Sequence, residues 1–157
     1  MQRVKLDHID RRILCDLQNN GRITNVELAQ RIGISAPPCL RRVRALEKAG
    51  YIEGYHAKVN ISRLDYKEMF FALVGLHSQA QDVLQGFENK MEAWPEIREC
   101  HMIRGGGDFL LKIVAKDKHQ RDTITMEITK AAHVSTVTTF ETIRTAKELS
   151  GIPVDEA

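Results

Sequence analysis

The chain has 157 residues, 43% of them hydrophobic, with a formal net charge of +2; that length suits one ordinary domain or two small ones with modest cores, and two are expected here. Residues 1–60 hold 11 Lys and Arg against 6 Asp and Glu, and the remainder hold 12 against 15, so the front half should meet a polyanion and the back half protein or small molecules. No apolar run approaches the ~18 residues of a membrane span and the polar N-terminus has no signal-peptide core, so a cytoplasmic protein without membrane contact is expected.

In chain order, Asp7 is a good N-cap, and Ile9, Ile13, Leu14 and Leu17 form an apolar stripe that ends near Asn19, Asn20 and Gly21. This is the first helix of a three-helix unit. Thr24 followed by Glu27 is a capping box that starts a second helix, with Leu28, Ala29 and Ile32 on its buried face and Gly33 as its stop. Ser35 is the natural N-cap of a third, with Pro37 and Pro38 in its first turn, where backbone donors have no intrahelical partner. Leu40, Val43 and Leu46 recur at helical spacing, so Arg41, Arg44 and Lys48 fall toward the opposite face and Arg42 at its flank.

A short capped helix, a small-residue turn and an arginine-bearing helix form a helix-turn-helix device for the major groove of double-stranded DNA, where guanidinium groups read guanine edges or clamp phosphates. The candidate DNA-contacting residues are Thr24, Asn25, Ser35, Pro37, Pro38, Arg41, Arg42, Arg44 and Lys48. Residues 51–60 hold β-formers broken by Gly54 and suit a short hairpin or wing, on which His56 and Lys58 can reach phosphate.

Residues 61–68 are polar and irregular and are expected to be the linker between a DNA-binding domain (residues 1–60) and a second domain (69–157). Residues 69–76 are a continuous apolar run rich in β-formers, the pattern of a strand buried on both faces, so one face needs helices and the other a partner. Val83, Leu84, Phe87, Met91 and Trp94 predict a helix over residues 81–94. Residues 97–104 and 108–115 read as a strand hairpin around Gly105, Gly106 and Gly107. Over residues 118–132, Ile124, Met126 and Ile128 alternate with polar residues as in a strand. Ile124, Ile128 and Ala131 also fit a helix face, and a helix here completes strand-helix-strand-strand-helix-strand, a split ferredoxin-like layer. Residues 134–145 are the last strand, and residues 149–154 form a tail able to dock on a neighbour. The fold class is α+β.

The glycine loop leads into a strand rather than a helix and lacks a Gly-Lys-Ser/Thr, so it is no nucleotide-binding loop. It can instead offer N–H donors to a ligand carboxylate, and Asp108 can take the ammonium group, which suits a free amino acid. The alternative is a tight turn in which Asp108 bonds the turn's own backbone. Thr136, Thr138 and Thr139 are candidate hydroxyl contacts from a neighbouring subunit. Cys15, Cys39 and Cys100 are widely spaced and read as packing residues. No metal-ligand spacing, cofactor motif or catalytic constellation is visible.

Several runs carry a family likeness. Leu6-Asp7 with Ile9-Asp10, Asn25-Val26-Glu27-Leu28-Ala29, Pro38-Cys39-Leu40-Arg41-Arg42-Val43, Leu46-Glu47, Gly50-Tyr51-Ile52 and Asp108-Phe109-Leu110-Leu111 resemble the leucine-responsive regulatory protein / AsnC family over nearly the whole chain. The resemblance implies a winged helix-turn-helix followed by a ligand-sensing αβ domain of the RAM or ACT type that dimerises through its sheets. It also implies amino-acid effectors held at subunit interfaces near the glycine loop, and dimers that often assemble into octameric discs. The function expected is a transcription regulator modulated by a small effector. An effector-independent architectural DNA-binding protein and an enzyme resembling the sirohaem decarboxylases are the alternatives, the latter needing convergent histidines of which His77, His101 and His133 give no sign in sequence.

Overall fold

The computed structural model of the chain describes residues 5–149 and 151–155; residues 1–4, 150, 156 and 157, which fall inside the expected domain spans, lie outside it. The chain forms two compact units, one of the residues up to Lys58 together with those from Lys147 onward, the other Val59–Ala146.

In the first unit three helices, α1 (His8–Asn19), α2 (Asn25–Ile32) and α3 (Ala36–Lys48), start where their capping residues dictate. Asp7 and Asp10 form a reciprocal capping box on α1, as Thr24 and Glu27 do on α2. Gly33 closes α2 in the left-handed conformation (φ 82°), which costs glycine nothing. The helices enclose Ile13, Leu28, Ala29, Ile32, Cys39 and Leu46. The buried stripe of α3 differs from the expected one: Leu40 is 38% exposed and Cys39 is fully buried. A shift of one residue rotates a helix position by about 100°, which brings Cys39 into line with Val43 and Leu46 on the side of the core and turns Leu40 toward its edge.

Residues 51–60 do not form the expected hairpin. Residues 53–60 are exposed and in no strand, because no second strand is at hand to satisfy their backbone groups. The expected linker is partly structured. Ile61–Leu64 is a 3-10 turn capped by the Asn60 side chain, which accepts from the Arg63 N–H, and Glu68 already belongs to the sheet. The second unit also ends before residue 157. From Lys147 the chain packs with the first unit: the Ile152 N–H donates to Gln18 Oε1 at 2.8 Å, the Gln18 amide donates to the Ile152 carbonyl at 3.1 Å, and Lys58 pairs with Glu148 at 2.7 Å. Gly151 has φ 78°, and a Cβ there would collide with Gln18.

The second unit is β1 (Glu68–Leu76), α4 (Gln81–Glu92), β2 (Ile97–Met102), β3 (Phe109–Ala115), α5 (Lys118–Thr129) and β4 (Val134–Glu141), an antiparallel sheet in the order β2-β3-β1-β4. That is the expected ferredoxin-like layer. Phe70, Ala72, Val74, Phe109, Leu111 and Ile113 pack against Phe87 and Met91 of α4 and Ile124 and Ile128 of α5. The rings of Phe87 and Phe109 lie 4.8 Å apart. The threonines that gave α5 its strand-like pattern are satisfied within the helix: Thr123, Thr125 and Thr129 each donate to the carbonyl four residues earlier at 2.8–2.9 Å. On the sheet's other face the alternate residues Phe71, Leu73 and Leu110 are half-buried and Phe140 is 50% exposed, and neither α4 nor α5 of this unit packs there. Lys112 and Glu99 pair on that face at 2.8 Å, and Lys112 holds the Glu99 carboxyl below its ordinary range. Residues 69–76 are thus covered on one face only.

Candidate functional site

On α3, Pro37, Arg41, Arg44 and Lys48 are exposed and recur at spacings of four, three and four, which places them in one stripe opposite Cys39, Val43 and Leu46. Among the described residues, Arg41, Arg44 and Lys48 form no ion pair with a carboxylate. Ser35 stands at the N-cap position, extended at φ −77° and ψ 155°, and its side chain makes no capping hydrogen bond; an exposed hydroxyl at a helix N-terminus is placed to meet an anion. Pro38 is half-buried beside it.

The other three predicted DNA residues are engaged inside the unit. Thr24 donates to Glu27 Oε2 at 2.8 Å and accepts from the Glu27 N–H. That bonding, first the Thr24 backbone N–H and then its hydroxyl, keeps the Glu27 carboxyl below its ordinary range. Asn25 is half-buried and donates to the Ala36 carbonyl at 2.8 Å, tying α2 to the first turn of α3. Arg42 Nη1 contacts Asp7 at 2.7 Å and Asp10 at 2.8 Å. The first partner is three residues on and the second lies across the turn, but the third pair spans more than thirty residues. Sequence signalled Asp7 only as a cap.

In the second unit the glycine loop meets the end of β1. Gly105 has φ 147°, and a Cβ on Gly107 would press on the Leu73 side chain at 2.9 Å and the Val74 carbonyl at 3.1 Å, so both positions need glycine. Asp108 does more than close its own turn: Oδ2 accepts from the Leu76 N–H at 2.7 Å and Oδ1 from the Gln79 amide at 2.9 Å. It fastens the loop to the end of β1 while leaving lone pairs on both oxygens. Thr136 and Thr138 pair with Gly75 and Leu73 across β1, on the helix-free face. Thr139 does not join them. One residue on, it points to the opposite face and lines a concavity of about 450 Å³ with Phe70, Arg121, Thr125, Met126 and Glu141. A second concavity of similar size lies between α4 and β2. Neither includes the glycine loop.

Burial raises the Cys39 thiol, and burial followed by the nearby Glu88 carboxylate raises Cys100 to about 11, so both stay protonated packing groups. Among the described residues no three His, Cys, Asp or Glu side chains gather as metal ligands, and no helix is long and apolar enough to cross a membrane.

A three-helix unit with a cationic outer helix, followed by a ferredoxin-like αβ layer, is the architecture of a two-domain DNA-binding regulator. Residues 6–53 match a winged helix-turn-helix DNA-binding model and residues 69–152 the Lrp/AsnC ligand binding domain. The leucine-responsive regulatory protein of Rhizobium meliloti is 48% identical over 153 residues, covering 97% of this chain and 98% of that protein. The one from Escherichia coli K12 is 46% identical over 112 residues, 71% of this chain and 68% of that protein. A Neisseria meningitidis transcriptional regulator, solved in complex with L-methionine, superposes with a TM-score of 0.91 at 30% identity, covering 96% of this chain and 98% of that one. The chain belongs to the Lrp/AsnC family of DNA-binding transcription regulators.

Proposed function

We propose that this regulator reads DNA with the outer stripe of α3 and is modulated by a free amino acid bound beside the glycine loop. The observation that carries the first part is the stripe Arg41, Arg44 and Lys48, exposed and without carboxylate partners among the described residues. Ser35 and Pro37 flank it at the helix start, where backbone donors favour phosphate. The test is an anisotropy titration, over a salt series, against a duplex selected by the wild type from a randomised pool. Arg44→Ala should weaken binding and lower the log-log salt slope by about 0.9 if a phosphate contact is lost. An unchanged slope and affinity for both Arg41→Ala and Arg44→Ala would remove α3 from the interface.

For the effector, the support is the loop's close approach to β1, the unused acceptor capacity of Asp108 and the L-methionine bound by the Neisseria relative. Thr136 and Thr138 fit as hydroxyl donors on the same face, whereas Thr139 does not. The acting species is a homodimer formed through the helix-free sheet face, with octamers as its higher assembly, because Phe71, Leu73, Leu110 and Phe140 leave an apolar layer uncovered. A second copy would also close the site that one chain leaves open. The protein works in the cytoplasm and is not an enzyme. A thermal-shift screen of the twenty amino acids tests the effector; no response, with DNA binding intact, would favour the architectural reading.

A further inference from the structure

The aspartates that cap α1 also hold α3. Asp7 Oδ1 accepts from the Asp10 N–H at 2.8 Å and Asp10 Oδ2 from the Asp7 N–H at 3.2 Å, while the remaining oxygens, Asp7 Oδ2 and Asp10 Oδ1, both take Arg42 Nη1, at 2.7 and 2.8 Å. Each carboxylate thus gives one oxygen to the helix start and one to the guanidinium. The Asp10 side chain is 13% exposed and Arg42 33%. Farther along α1, Arg12 donates to the Arg31 carbonyl at 2.8 Å, on the last turn of α2. Arginines and aspartates together make α1 a frame for the helix-turn-helix.

We infer that Arg42 is a positioning residue, which fixes the roll and axial position of α3 against α1, and is not itself a DNA contact. The inference rests on the reading of α3 as the DNA-contacting helix. Apolar packing of Cys39, Val43 and Leu46 sets how close α3 lies but is non-directional, so it leaves the helix free to roll by small angles. A charge-assisted pair of hydrogen bonds is directional and removes that freedom. Groove recognition needs the outer side chains held to within about 0.5 Å. A contact role is also opposed by charge: to reach a phosphate, Arg42 must leave two carboxylates, which would then face the same phosphate bare. Arg41 and Arg44, on the adjoining face, carry no such partners among the described residues.

The two roles differ in the sign of one experiment. Asp7→Asn/Asp10→Asn removes two negative charges from the DNA-binding unit, which should raise DNA affinity if Arg42 were a contact held in reserve. Asparagine is as good an N-cap as aspartate, so α1 keeps its start. As a positioning pair, the double variant should bind the selected duplex about tenfold more weakly, with helical content retained by circular dichroism. Arg42→Ala should lose a similar factor with its salt slope unchanged. Arg42→Lys, which keeps the charge but can satisfy only part of the geometry, should recover part of the loss. Should the double variant prove unstable, Asp7→Asn alone carries the same sign. A rise in affinity for the aspartate variants, or a fall of about 0.9 in the Arg42→Ala slope, would overturn the inference. If instead Arg41→Ala and Arg44→Ala leave affinity and slope untouched, it is the DNA reading of α3 that fails.

Discussion

The two units leave opposite kinds of surface without a partner. The first gathers Ile13, Leu28, Ala29, Ile32, Cys39 and Leu46 into a core between its three helices and turns a cationic stripe outward; the second covers one sheet face with α4 and α5 and leaves Phe71, Leu73, Leu110 and Phe140 on the other. A stripe of cations in water is already solvated, so its partner is a polyanion met reversibly and screened by salt. An apolar sheet face has a standing driving force for burial, which favours a protein partner held persistently. One chain therefore carries a unit built around a three-helix core and a sheet with one face covered, and assembly and effector binding are the functions proposed above for the second.

The largest expected effect tests the sheet unit's own core. Phe109 is fully buried against Phe87 and lies on the helix side of β3, so Phe109→Ala should cost about 3–5 kcal/mol in denaturant unfolding. Next is the opposite face. Phe140→Asp changes a half-exposed side chain that the core does not need, yet it should raise the dimer dissociation constant about a hundredfold, or about 2.8 kcal/mol, by placing an unpaired charge in the interface. Light scattering at micromolar concentration that still gives a dimer would move the interface elsewhere.

Asp108 tests whether the effector belongs to this second surface. Alanine there would orphan the Leu76 N–H and confuse two roles, whereas Asp108→Asn keeps an acceptor and removes the charge. Calorimetry with the best amino acid from the screen should show a ten- to hundredfold loss, and DNA binding without that amino acid should be unchanged. Normal binding by the variant would leave Asp108 only its fastening role.

The smallest effect lies in the first unit at acid pH. The Asp7 carboxyl is held below its ordinary 3.8, first by the Asp10 N–H and then by Arg42. A depressed folded value means that its contribution is present above 3.8 and is lost as pH falls through the lower folded value. Asp7→Asn should therefore shrink the acid sensitivity of α1, read by helical circular dichroism between pH 2 and 5. Equal acid midpoints in the variant and the wild type would show that the clamp adds nothing measurable.

Much of this was legible in the residues. The Asp7 N-cap, the Thr24–Glu27 capping box, the Gly33 stop, the strand order's ingredients and the helical face of α5 are local patterns, set by hydrogen bonds over three or four residues and by a period of 3.6 or 2. The glycine loop was legible by composition, but the bonds by which Asp108 ties it to Leu76 and Gln79 were not. Other features left no local mark. Residues 51–60 have strand formers but no partner strand, and residues from Lys147 return to the first unit through Gln18, more than a hundred positions away in the chain.

The sequence by itself determined the five α-helices and four strands of the described residues in their order and which helix bears the cations, because periodicity and capping act within one or two turns. Only the tertiary structure decided that Cys39 rather than Leu40 faces the core, which sheet face α4 and α5 cover, and that Arg42 is taken by Asp7 and Asp10 while Arg41 and Arg44 pair with no carboxylate among the described residues. Those outcomes depend on how closely two helices approach and on which pleat a residue occupies. Such distances are fixed by packing between elements, and no single stretch of chain encodes them.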